Sequence, residues 1–142
     1  SDLLLRRALA NSYMLSSDVN AGYDPTFADK FDKKNASLLG NGLVFNKFTG
    51  SRGKSGSNDA NAEYLADLRH IFDKNEVAFQ TSELGKVDQG GGGTIAYILA
   101  NYGMDVIDSG VAVLNMHAPW EIISKVDLYE ALRGYEVFLK EA

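Results

Sequence analysis

The stretch from Gly42 to Thr81 restricts the possible folds of this chain more than any other. Gly42-Leu43-Val44-Phe45-Asn46-Lys47-Phe48 alternates as a strand does, and Glu76-Val77-Ala78-Phe79-Gln80-Thr81 reads as a second strand. Between them, Tyr64, Leu65, Leu68, Ile71 and Phe72 recur at the spacing of one helix face. That stripe is a core face rather than a cofactor contact. A strand, a one-sided helix and a further strand bury their apolar surfaces by packing the helix on a sheet, so an α/β fold is expected.

The remaining segments extend this pattern. Asp2 to Ala10 is helix-like, and Tyr13 to Val19 reads as a short strand leading into the turn-rich Asn20-Ala21-Gly22-Tyr23-Asp24-Pro25. Ala28 to Asn41, charged and weakly periodic, is expected to be a surface excursion. The stretch Thr49 to Asn58 should turn the first central strand into a helix capped by Ser57 or Asn58. Ile95 to Ala100 predicts a helix capped by Thr94 and stopped by Gly103. Met104 to Gly110 and Val111 to Met116 supply one or two more strands. Ser124 and Asp127 form a capping box for a closing helix, whose Leu128, Ala131, Leu132, Tyr135, Phe138 and Leu139 should dock on the sheet. The expectation is one α/β domain over residues 1–142, with a mixed sheet flanked by helices. A chain of 142 residues suffices for it, burying roughly 68–70% of its unfolded surface.

Charge and cysteine content narrow the partners. With 14 Lys+Arg against 19 Asp+Glu, a net charge of −5 and scattered basic residues, neither nucleic acid nor an anionic membrane is expected as a partner. Because the chain has no cysteine, a bound metal would need His and carboxylate ligands. Leu3-Leu4-Leu5 is too short for a signal-peptide core, and no apolar run approaches the roughly 18 residues of a membrane span. A cytoplasmic location is expected. The start at Ser1, directly before a helix-like pattern, points to a piece of something longer.

Three stretches could carry chemistry. His117 ends the apolar run Val111-Ala112-Val113-Leu114-Asn115-Met116, and ligands in open α/β sheets collect beyond the carboxyl ends of strands. A hydrogen-bonded structural histidine is the competing reading. Asp18 ends another candidate strand. The quartet Gly90-Gly91-Gly92-Gly93 precedes a helix, so its backbone N–H groups could meet a carboxylate, carbonyl or phosphate, or it could be a plain connector. Parallel strands would bring all three to one sheet edge. Other motifs fail on spacing. A calcium loop at Asp18 to Asp29 has its glycine one place early, a phosphate loop would need glycine at Phe48, and the dinucleotide fingerprint would need one at Ile95.

The segments Ser16 to Pro25, Gly50 to Ala60, Glu83 to Ala96 and Met116-His117-Ala118-Pro119-Trp120-Glu121 together resemble the zinc aminopeptidases of the aminopeptidase I and aspartyl aminopeptidase family. The long glycine loop is more similar to the bacterial aminopeptidase I branch. The resemblance implies that residues 1–142 form the C-terminal part of a larger zinc-peptidase catalytic domain. It also implies a two-zinc site, in which cobalt or manganese could replace zinc, with Asp18 completing the shell of one ion and His117 that of the other. Gly91, Gly92, Gly93 and Arg52 would lie beside a peptide substrate, although Arg52 also reads as a solvated loop cation. No His-x-Asp and no Glu-Glu pair occurs in the chain, so the remaining ligands and the catalytic glutamate are expected from earlier sequence. The parent would be an aminopeptidase and a homo-oligomer, with no catalytic residue supplied by this chain. The rival reading is a non-catalytic α/β module that binds an anionic ligand at its glycine-rich loops.

Overall fold

The computed structural model describes residues 1–51, 55–86, 89 and 91–142. In chain order its elements are α1 (Asp2–Ala10), β1 (Tyr13–Ser16), β2 (Asn20–Ala21), a 3-10 helix (Pro25–Lys30), β3 (Leu43–Ser51), β4 (Ser55–Asp59), α2 (Ala62–Lys74), β5 (Phe79–Glu83), α3 (Ala96–Ala100), β6 (Asp105–Gly110), β7 (Ala112–Leu114), β8 (Ile122–Ile123) and α4 (Lys125–Glu141). The fold is a mixed α/β one, as the sequence pattern predicts. Among the described residues no helix is long and apolar enough to cross a membrane.

Strand β3 organises the larger sheet. Val44 pairs with Gln80 of β5 and with Gly110 of β6, whereas Phe48 pairs with Glu83 of β5 and with Asp59 of β4. Since a strand has two edges, β5 follows one of them, and β6 and then β4 share the other. This corrects the expected passage from β3 into a helix. Ser57 and Asn58 belong to strand β4, which takes up the edge that β6 leaves after Asn46. The helix begins later and is capped by Asn61, whose side chain accepts the N–H groups of Glu63 and Tyr64 at 2.8 and 3.2 Å. Asn58 instead donates to the carbonyl of Val106 at 2.8 Å.

Leu43 and Phe45 of β3, Leu68 and Phe72 of α2 and Ile107 of β6 are fully buried in one cluster. Phe45, Phe72 and Phe79 pack with ring centroids 5.0 to 5.8 Å apart. Such aromatic pairs contribute roughly 0.5–1.5 kcal/mol each beyond area burial. The expected stripe of α2 is thereby used, with Tyr64, Leu68, Ile71 and Phe72 all buried.

Helix α4 docks on the core through Ala131, Tyr135 and Phe138, as expected, but departs from expectation elsewhere. Leu128, Leu132 and Leu139 are exposed, and the buried positions are Asp127, Glu130, Ala131 and Gly134. The expected capping box is not formed either, because Ser124 makes no side-chain cap bond. The Asp127 carboxylate accepts the N–H groups of Gly40 and Gly42, each at 2.8 Å, and Glu130 accepts that of Ala78 at 2.8 Å. Backbone amides entering the core need acceptors, and this acidic face supplies them. The stretch 28–41 is likewise not all surface. Ser37 is fully buried, donates to the Ala21 carbonyl and accepts from Asn20.

A testable consequence follows for α4. Asp127→Ala leaves two inward amides without their acceptor and should destabilise the protein by about 3 kcal/mol, whereas Ser124→Ala should cost less than about 0.5 kcal/mol. Denaturant midpoints of the two variants check this; equal shifts would restore the capping box.

Candidate metal and substrate site

Two chain segments run side by side across both sheets. Strands β1 and β6 pair in parallel in the larger sheet, and their continuations β2 and β7 pair in parallel in a second sheet completed by β8. Asp18 lies where the first segment passes from β1 to β2. Its carbonyl oxygen would stand only 1.9 Å from a Cβ at Gly110, so this crossing requires glycine at position 110. Asp18 itself is half-buried.

His117 lies three residues beyond β7, on an exposed turn where Asn115 and His117 have φ of 59° and 67°. Left-handed backbone is uncommon for residues with a side chain, and such strain gathers at functional sites. The amide of His117 donates to the Glu121 carboxylate at 2.6 Å, and the Ala118 amide donates to the Asn115 carbonyl at 2.9 Å. Asp18 therefore precedes the two-residue β2–β7 ladder, and His117 follows it. Among the described residues no hydrogen bond or ion pair joins the His117 side chain to Asp18, and no three His, Cys, Asp or Glu side chains come together to hold a metal.

Strand direction does not gather the glycine loop with Asp18. β5 runs parallel to β3 and β3 antiparallel to β6, so the chain leaves β5 at the opposite end of the sheet from Asp18. Residues 91–94 lie on the return. The Gly50 amide donates to the Gly92 carbonyl at 3.0 Å. Gly91 has φ 77°, and a Cβ there would meet the Leu84 carbonyl oxygen at 2.5 Å. Gly91 and Gly93 are exposed and Gly92 is half-buried. Arg52 and Gly90 lie outside the described residues.

The loop ends on a residue that sequence reasoning missed. Asp108, fully buried in β6 opposite Ser16, accepts the Thr94 hydroxyl at 2.7 Å and the Thr49 hydroxyl at 3.1 Å on the same carboxylate oxygen, Oδ2. Its Oδ1 has no hydrogen-bond partner among the described residues. Burial pushes the Asp108 pKa up; the hydroxyls of Thr94, Ser16 and Thr49 oppose the rise, and the charge of Asp18 adds to it. The end of the glycine loop thus closes on a buried carboxyl group that stands opposite Ser16, two residues before Asp18. The available signal was an aspartate within the apolar run Val106-Ile107-Asp108, since ionisable residues are rarely buried without partners.

The donor types are those of a zinc site. Neutral imidazole and carboxylate both bind zinc, while a catalytic zinc ordinarily takes three protein ligands. Asp18 and His117 each offer one donor of a type that suits zinc. An anion site at the helix after the glycines has less footing, because the five residues of α3 align few peptide dipoles.

Comparison with known proteins places these residues in a wider frame. Residues 1–139 match the family described as aminopeptidase I zinc metalloprotease (M18). A probable M18 family aminopeptidase 1 of Clostridium acetobutylicum is 67% identical over 138 residues, which cover 97% of this chain and 30% of that protein. The crystal structure of aminopeptidase I from Clostridium acetobutylicum superposes with a TM-score of 0.89 at 67% identity, over 95% of this chain and 30% of its own. An M18 family aminopeptidase structure from Thermotoga maritima gives a TM-score of 0.92 at 46% identity, over 98% of this chain and 31% of its own. The chain therefore spans about 30% of the length of the relatives it matches. With its match running from the first helix into the last, this chain belongs to the aminopeptidase I (M18) zinc metalloprotease family.

Proposed function

We propose that the full-length protein containing this chain is a metal-dependent aminopeptidase that releases N-terminal residues from peptides. The observation that carries this reading is the family match over residues 1–139, which takes in Asp18, the glycine loop and His117. Asp18 holds one zinc ion and His117 the other, and residues from the rest of the protein complete both shells. Cobalt and manganese suit the same nitrogen and oxygen donors. The chemistry zinc supplies when bound is polarisation of the scissile carbonyl and activation of water. The group that takes a proton from the attacking water lies outside this chain.

Within the chain, the glycine loop serves the substrate. Gly93 is exposed and carries no side chain to keep a peptide backbone away, while Gly91 keeps the loop folded against Leu84 and Gly50. The exposed Tyr129, Leu128 and Leu132 of α4 are surface that the rest of the protein or further copies would cover, which supports a homo-oligomer.

Two results are expected of the full-length protein. Asp18→Ala and His117→Ala should each lower kcat/KM on an N-terminal leucyl chromogenic peptide by at least ~100-fold, the upper end of what losing a mere supporting residue costs, and should each reduce bound zinc. Metal analysis alongside the assay checks this, and an Asp18→Ala protein with full zinc and full turnover would refute the assignment. Gly93→Val should depress turnover with little change in melting temperature, whereas Gly91→Val should lose both, because a β-branched residue resists positive φ and would strike the Leu84 carbonyl. Thermal melts beside the kinetics separate the two, and unchanged turnover in Gly93→Val would make the loop a connector.

A further inference from the structure

We infer that Thr94 and Asp108 form a positioning pair that sets the glycine loop against the substrate. The inference rests on the aminopeptidase reading above and concerns residues that touch neither substrate nor metal in it.

The geometry of Thr94 is that of a clamp. Its hydroxyl gives its one proton to Asp108 Oδ2 at 2.7 Å and accepts the Ala96 amide at 3.2 Å, so one oxygen fixes both the end of the loop and the start of α3. Asp108 is a rigid anchor for that bond. It lies on a strand paired with β1 and β3, it is fully buried, and Thr49 of β3 donates to the same oxygen. A second tie, from the Gly50 amide to the Gly92 carbonyl at 3.0 Å, holds the loop two residues earlier. The loop is therefore pinned to β3 at Gly92 and to β6 at Thr94, leaving Gly93 exposed between the pins. Asp108 also pairs with Ser16, two residues before Asp18, so the anchor ties the loop to the strand that leads to the proposed metal ligand.

A pinned loop has a kinetic signature. A misplacement of about 1 Å in a substrate-positioning element can lower the reactive fraction of bound substrate up to about 100-fold while changing affinity far less. Thr94→Val keeps the shape and removes both hydrogen bonds. Thr94→Ser keeps the hydroxyl.

The test is steady-state kinetics on the zinc-loaded full-length protein with a leucyl chromogenic peptide, beside melting temperatures. Thr94→Val should lower kcat about tenfold with KM within about threefold and a melting temperature near wild type, and Thr94→Ser should recover most of the loss. Asp108→Ala should lower kcat similarly, and the double variant should lose no more than the worse single one, because both changes remove one interaction. If Asp108→Ala does not fold, the Thr94 variants decide alone. An active wild type whose kcat is unaffected by Thr94→Val, or whose loss Thr94→Ser fails to recover, overturns the positioning role and leaves the aminopeptidase reading standing. A wild type without chelator-sensitive turnover overturns that reading, and the positioning role with it.

Discussion

Strand β3 is the constraint on which the rest of the structure depends. Leu43, Val44 and Phe45 have no exposed surface, and both edges of the strand are taken, by β5 on one side and by β6 and β4 on the other. A strand buried on both faces and both edges has its hydrogen-bonding and packing partners fully specified, and a one-residue slip would exchange its faces. The Phe45, Phe72 and Phe79 contacts then tie α2 and β5 to it. Directions follow as well. With β5 parallel and β6 antiparallel to β3, the chain must return between β5 and α3 before β6 can form.

That return is stabilised by polar rather than apolar contacts. A run of glycines contributes no side-chain packing and loses much backbone freedom on ordering. Compensation comes from the Gly50–Gly92 bond and from the Thr94 hydroxyl on Asp108. The same device recurs under α4, where Asp127 and Glu130 receive the amides of Gly40, Gly42 and Ala78. Arg133 adds bonds to the carbonyls of Asn75 and Glu76. Each buried carboxylate organises a neighbouring loop, and each lies where a purely apolar pattern would place a hydrophobic residue.

The site is distributed accordingly. Asp18 is held by the close approach of its backbone to Gly110, and His117 by a left-handed turn closed onto Glu121. The two residues stand at the two ends of one parallel ladder, and the chain spans about 30% of the length of its relatives. The exposed Leu3, Leu4 and Leu5 of α1 belong to the same picture, since a helix with no buried residue has no core of its own to pack on.

Much of this was legible in the residues. The stripe Tyr64, Leu68, Ile71 and Phe72, the apolar run Leu43-Val44-Phe45 and the β-branched run before His117 dictated helix, strand and strand, because hydrophobic period is a local property of the chain. Asp18, His117 and the glycines stood out through their types and their places after such runs. What the residues alone did not determine was set by contacts between distant segments. Strand β4 forms at Ser57 and Asn58 because β6 vacates an edge of β3, and Asp127 faces inward because Gly40 and Gly42 present amides to it. Asp108 becomes the anchor of the glycine loop only once Thr49 and Thr94 are folded against it. The physical reason is common to all three: a polar group's partner is selected by what remains unpaired after the sheet has formed, and only the tertiary structure decides what that is.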